Sequence, residues 1–195
     1  MQAFLTDGIK NVTMDDIARR LSMSKRTLYQ LFTDKEDLLL TSLMLYNERG
    51  EAELQAVARE SDNVLYILLA RFSLHLKDIK KVRSDFLEEM ARYPKVRRFA
   101  ERRLKLQEEN TLAFLQKGVE QGYFRADINY RLVYRYLIEG SRYTLRTNVF
   151  HTYAPHEIFI DTLLVFMRGC CTPKGMELVD EFVKQYKVGE PLAAP

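Results

Sequence analysis

TMDDIARRLSMSKRTLYQLFTDKEDL, residues 13–38, decides the fold. Thr13 is a good N-cap, and Asp16 stands at the third helical position, the spacing of a capping box. Asp15 and Asp16 favour the positive end of the helix dipole. Ile17, Ala18 and Leu21 then recur on one face, as a packed helix requires. Ser22-Met23-Ser24 breaks the helix, with Met23 placed to plug the corner, and Ser24 caps a second helix over residues 25–32. At about 3.6 residues per turn, Leu28, Leu31 and Phe32 fall on one side of it. Arg26 and Gln30, flanked by Thr27 and Tyr29, fall on the other. Thr33 and Glu36 have the spacing of a second capping box, opening a long third helix with Lys35 in its first turn. Two short helices joined by a tight turn, the second with a clean polar face, are the layout of a helix-turn-helix that lays one helix in the major groove of DNA.

The residue types on that face suit the task. Arginine pairs bidentately with guanine and glutamine with adenine, which makes Arg26 and Gln30 the candidates for base readout. Tyr29 and Lys25 sit at the edges, where phosphates run. Lys35, beside the open N–H groups of a helix N-terminus, suits a phosphate.

Phe4 and Gly8, Thr13, the run DDIARRL, the run SKRTLY, Phe32, Lys35-Glu36 and Leu38 together resemble the tetracycline-repressor (TetR) family of bacterial transcriptional regulators. The resemblance is dense as far as Leu38. It implies that Thr13, Tyr29 and Lys35 contact phosphates, while Lys25, Arg26, Thr27 and Gln30 lie at or near the groove. Two features depart from the family pattern. Members usually carry a longer stretch before Phe4, whereas here the first helix has only residues 1 to about 7, enough to cover less of Ile17 and Leu28. Ser22 stands where the family often has glycine; at positive φ a serine costs about 1 kcal/mol.

The 195 residues, 47% hydrophobic and 29% charged, suffice for a real core and exclude a disordered chain. The formal charge of +3 permits contact with nucleic acid without establishing it. No run of about 18 apolar residues suggests a membrane helix, and the N-terminus lacks a signal-peptide pattern. The two cysteines are the neighbours Cys170 and Cys171, which build no disulfide framework, so the cytoplasm is the expected compartment. Five prolines, eight glycines and few strand-like alternations point to an all-α chain.

The helix from Asp34 is expected to run past Tyr46 into a charged connection over residues 48–60. Ser61-Asp62-Asn63 caps a helix bearing Leu65, Leu68, Leu69, Phe72 and Leu76. Ser84-Asp85 starts a short one with Phe86, Leu87 and Met90, and Pro94 opens another that stops at Gln121-Gly122. The helices over residues 129–149 and 155–171 are apolar on all sides, so each needs a covering partner; a homodimer through these two helices, built as a four-helix bundle, supplies it. The tail after Tyr186 reads as irregular. The expected organisation is a three-helix helix-turn-helix DNA-binding domain over residues 1–46, followed by an effector-binding and dimerisation domain over residues 47–195. The resemblance continues more loosely through QGYFRADIN and RGCCTPKGMELVDEF, and implies a small-molecule pocket among the middle helices.

Phe72, Phe86, Met90, Tyr93, Phe114, Tyr134, Ser141 and Arg142 are the candidates to line that pocket, each with the plainer reading of filling the core. For Arg142 an ion pair with Glu139 or Asp161 is preferred, because a lone buried charge is costly. The basic run from Arg92 to Lys105 reads as a solvated face. His151, His156 and the cysteine pair match no compact zinc spacing, and the cysteines read as small core hydrophobes. No glycine-rich phosphate loop, nucleophile elbow, HExxH or CxxC is present, so neither catalysis, a metal nor a cofactor is expected. The leading expectation is a DNA-binding transcriptional regulator, a repressor released from a palindromic operator by a small-molecule effector. The alternatives are a dimeric DNA-binding or architectural helical protein without small-molecule control, and a helical-bundle enzyme or carrier of a hydrophobic ligand.

Overall fold

A computed structural model describes residues 1–80, 82–83, 85–147 and 149–188. Among the described residues the chain forms eleven helices: α1 Gln2–Asp7, α2 Met14–Arg20, α3 Lys25–Leu31, α4 Lys35–Glu60, α5 Val64–Ile79, α6 Phe86–Ala91, α7 Pro94–Glu120, α8 Tyr130–Arg146, α9 Val149–Thr152, α10 Pro155–Cys170 and α11 Pro173–Val188. Ser84, expected to help start α6, and the last residues of the expected irregular tail lie outside the described residues. None of these helices is long and apolar enough to cross a membrane.

Local signals set most boundaries. The Thr13 hydroxyl accepts from the Asp16 N–H (3.1 Å), and Asp16 accepts from the Thr13 N–H (3.0 Å), the reciprocal capping box. Ser24 caps α3 through the Thr27 N–H, and Asn63 caps α5 through the Tyr66 N–H. The second expected box moves by one residue. Asp34, not Thr33, is the N-cap of α4 and accepts from the Asp37 N–H (2.7 Å). Glu36 is drawn away to accept from the Lys95 N–H at the start of α7 (2.6 Å).

The charged connection expected over residues 48–60 is helix throughout, so α4 crosses the expected boundary at residue 46 without a break. Its charges do not interrupt it because they face water: Arg49 and Glu53 pair one turn apart at 2.9 Å. Glu51, Leu54 and Val57 stay half-buried, where α4 packs on α5 and α7.

Two cores result. Val64, Leu65, Leu69, Leu76 and Ile79 of α5 bury against Phe124, Met167, Cys170, Cys171, Val179 and Phe182. Here the end of α7 is fastened to the start of α11. The Thr172 N–H donates to the Tyr123 carbonyl (3.0 Å), the Thr172 hydroxyl to that of Gly122 (2.7 Å), and Lys174 Nζ to that of Gln121 (3.0 Å). The other core holds Phe4, Leu5, Ile9, Val12, Met14, Ala18, Leu28, Leu38 and Leu39 of the N-terminal unit, together with Phe86 of α6 and Val96 of α7. Leu28 is fully buried although α1 is short, because α6 and the first turn of α7 join that core.

Two expectations of burial do not hold. Leu21 and Leu31 remain 60% and 62% exposed. With α2 and α3 only about two turns long, Met14, Ala18 and Leu28 alone are buried within them. The apolar surround expected for the late helices is also incomplete. The outer side of α10 carries Glu157, Asp161, Thr162 and Arg168 beside exposed Val165, whereas α8 leaves Leu132, Tyr136 and Tyr143 open on a side shared with Glu139.

Candidate nucleic-acid interface

The corner between α2 and α3 shows how this interface is held. Ser22 has φ 53, in the left-handed region. Its N–H donates to the Arg19 carbonyl (3.1 Å) and the Met23 N–H to that of Ala18 (3.0 Å). This 6→1 and 5→2 pair is a Schellman stop, with Ser22 at the position that favours glycine and half-buried Met23 one residue beyond. Ser22→Gly is expected to stabilise the protein by about 1 kcal/mol, raising Tm by roughly 2–4 °C. A thermal scan in which the variant melts at or below the parent would remove the strain assigned to this turn.

Beyond the turn, α3 turns Leu28 inward and leaves Lys25, Arg26, Thr27, Tyr29 and Gln30 exposed. Among the described residues Arg26 and Gln30 carry no side-chain hydrogen bond or ion pair, so both present free donors. Thr27 shares a hydrogen bond with the Ser24 hydroxyl at 2.7 Å. The Lys25 ammonium pairs with Asp15 of α2 at 2.9 Å and lies 6.0 Å from the Tyr29 ring centroid. That carboxylate raises the Lys25 pKa and holds the cation at the α2–α3 edge. Thr13 is exposed, with its hydroxyl committed to Asp16 (2.6 Å). Lys35 is half-buried beneath the α1–α2 connection, where its Nζ reaches the Lys10 carbonyl (3.4 Å) and burial lowers its pKa. Thr13, Lys25, Arg26, Thr27, Tyr29 and Gln30 are thus gathered around α2 and α3, while Lys35 lies behind them in the first turn of α4.

The bracing of this unit by Arg83 and Glu89 is not signalled by the sequence. Gly8, with φ 88, turns the chain out of α1. Around it Arg83 donates to the Asp7 carbonyl (3.2 Å), the Arg83 N–H to that of Leu5 (3.2 Å), and Glu89 accepts from the Lys10 N–H (2.8 Å). Asp85 holds the Arg83 guanidinium by two bonds at 2.7 and 3.0 Å. The spacing of Phe86, Leu87, Met90 and Tyr93 signals an apolar helix face in need of a partner, but not which partner.

The eight expected pocket residues do not gather at one site. Phe86, Met90 and Tyr93 pack in the N-terminal core. Phe114 packs in the other core, and the Tyr134 hydroxyl donates to the Leu104 carbonyl (3.3 Å). Ser141 is exposed and donates to the Leu137 carbonyl (2.9 Å), and Arg142 pairs with Glu139 one turn away. Only Phe72 of the eight lines the 680 Å³ cleft between α1, α4, α5, α7 and α10, with Tyr46, Glu51, Arg71, Arg103 and Phe159 among its walls. Both cysteines are buried, and burial pushes the Cys171 thiol up to about 12, so neither is a thiolate at neutral pH. The side chain of His151 lies outside the described residues.

The model of the family described as bacterial regulatory proteins, tetR family, matches residues 1–41. The HTH-type transcriptional repressor KstR2 of Mycobacterium tuberculosis is 26% identical over 149 residues, 73% of this chain and 74% of that protein, in the sequences from both strains CDC 1551 and H37Rv. The structure titled ketosteroid transcriptional regulator KstR2 of Mycobacterium tuberculosis aligns with a TM-score of 0.53 at 22% identity, over 87% of this chain and 90% of that one. That structural likeness concerns the fold.

Proposed function

We infer, for a chain that belongs to the tetR family of bacterial regulatory proteins, a DNA-binding transcriptional repressor that leaves its operator when a small molecule binds the helices behind the reader. The observation that carries the reading is the open polar face of α3, where Arg26 and Gln30 stand free on a helix capped at its start and anchored by Leu28. On this reading Arg26 and Gln30 read bases, Lys25 and Thr27 lie at the groove, and Thr13, Tyr29 and Lys35 position the phosphates.

A second copy joins through α8 and α10. Leu132, Tyr136 and Tyr143, spaced by four and seven residues, form an open apolar stripe on α8, and Val165 stands open on α10. A two-fold dimer places two α3 helices about 34 Å apart, or a multiple of that, to meet the half-sites of a palindrome. Effector control follows by linkage: a molecule that favours a conformation with the wrong spacing weakens DNA binding, and DNA weakens its binding by the same factor.

The deciding experiment selects a preferred site from random duplexes and compares variants on it. Arg26→Ala is expected to weaken the preferred site by about 10- to 100-fold per half-site, while changing non-specific binding much less. Tyr29→Phe is expected to weaken all sequences alike. If Arg26→Ala keeps full selectivity, base readout does not run through this face.

A further inference from the structure

The cleft bounded by α1, α4, α5, α7 and α10 has a volume of 680 Å³, within the range of about 300–1,000 Å³ usual for small-molecule sites. One wall is apolar. Phe72 of α5 and Phe159 of α10 meet edge to face at 6.0 Å, and the His75 ring lies 4.6 Å from Phe159. Much of the remaining lining is charged, and its charges do not balance. Arg49, Arg71, Lys77 and Arg103 line the cleft against Glu51, Glu53 and Asp78. Burial lowers the His75 pKa, so its imidazole adds no charge at neutral pH. Two of the carboxylates have partners of their own within the cleft: Glu53 pairs with Arg49 at 2.9 Å, and Asp78 accepts from the Tyr46 hydroxyl at 2.5 Å. Glu51 of α4 is left to serve two guanidiniums, Arg103 of α7 at 2.6 Å and Arg71 of α5 at 3.8 Å.

We propose that this cleft binds an amphipathic monoanion, whose carboxylate takes the place of Glu51 between Arg103 and Arg71 while its apolar body lies along Phe72 and Phe159. Arg103 is held by Glu51 and by the Gln107 amide beside it, whereas Arg71 stands 3.8 Å from the carboxylate the two arginines share, and the planar donor fork of arginine suits an incoming carboxylate. The displaced Glu51 is partly exposed already and turns to water at little cost, because an ion pair this open contributes little to stability. A neutral ligand would gain the aromatic wall but neither arginine. A cationic one would meet a surplus of like charge. The consequence for DNA rests on the effector-release reading above. Glu51 ties α4 to α5 and α7, and α4 begins at Lys35 beside the DNA reader. A carboxylate in the cleft cuts that tie.

Naphthalene-2-carboxylate and naphthalene-2-methanol, which share an aromatic body and differ in charge, are titrated calorimetrically into the full-length protein at fixed salt. The carboxylate is expected to bind at least tenfold more tightly than the alcohol. Arg103→Gln is expected to abolish that preference without changing the affinity for the alcohol, and Glu51→Gln to tighten carboxylate binding several-fold, with helical circular dichroism confirming that both variants fold. Equal affinities, no binding of the carboxylate, a preference that survives Arg103→Gln, or weaker carboxylate binding by Glu51→Gln would each overturn the proposal. Operator affinity measured on the same samples separates the two readings. A carboxylate that binds through Arg103 and leaves operator affinity unchanged supports the site and overturns control through it. Operator release by other small molecules, with the carboxylate ignored, overturns the site and leaves release standing.

Discussion

Phe86→Ala is expected to destabilise the protein by about 3–5 kcal/mol and to lower Tm by roughly 10 °C, with loss of DNA binding before the C-terminal helices melt. Phe86 is 3% exposed and lies in the same core as Phe4, Leu5, Ile9, Leu28, Leu38 and Leu39. Truncating it removes the apolar contact that a six-residue α1 does not supply and leaves a cavity between α6 and the reader. Nearby polar ties do not compensate, since the Arg83–Asp85 and Glu89–Lys10 contacts are exposed and each is weak in water. Thermal unfolding followed together with operator binding checks the result. Loss of less than about 1 kcal/mol would show that the N-terminal core closes without α6.

Gly175→Ala is expected to cost at least about 3 kcal/mol, the upper end for overpacking a filled interior. A Cβ on Gly175 would fall well inside contact distance of the Tyr123 carbonyl oxygen, with Cys171 Cβ and Sγ at 3.2 Å on its other side. That carbonyl is backbone and already accepts the Thr172 N–H, so it has no rotamer by which to yield. Relief requires α11 to draw away from the end of α7, which also strains the Thr172 and Lys174 bonds to that corner. Denaturant unfolding is the measurement, and a variant as stable as the parent would show that α11 shifts freely.

The two outcomes bear on what the sequence disclosed. Capping at Thr13, Ser24 and Asn63, the stop at Ser22 and the polar face of α3 were readable because each depends on residues within about four positions of one another. The N-cap of α4 falls one residue later than the local pattern indicates because Glu36, suited to a local box, bonds instead to Lys95 of α7. The charge density of residues 48–60 suggests a connection, whereas their alternation of exposed and half-buried positions keeps one face packed. Phe86, Met90 and Tyr93 suit a ligand pocket and a core equally well by sequence, because aromatic and apolar residues look alike in either setting. Only the long-range approach of α6 to α1 and α4 separates the two, and no spacing within the chain encodes it. The cleft is invisible in the sequence for the same reason: Glu51, Arg71 and Arg103 come from three helices and meet only when those helices pack.

The docking of α6 against the N-terminal core also determines what can be transplanted. The reader is contiguous in sequence only as far as α4, yet its interior is completed by Phe86 and Val96 and its first turn is fastened by Arg83 and Glu89. A chimaera that grafts residues 1–46 onto another regulator would inherit the exposed polar face of α3 without the far wall of its core. The exchangeable part is discontinuous, made of the first 46 residues with α6 and the first turn of α7, and a hybrid that carries both pieces keeps the interior that holds Arg26 and Gln30 in place.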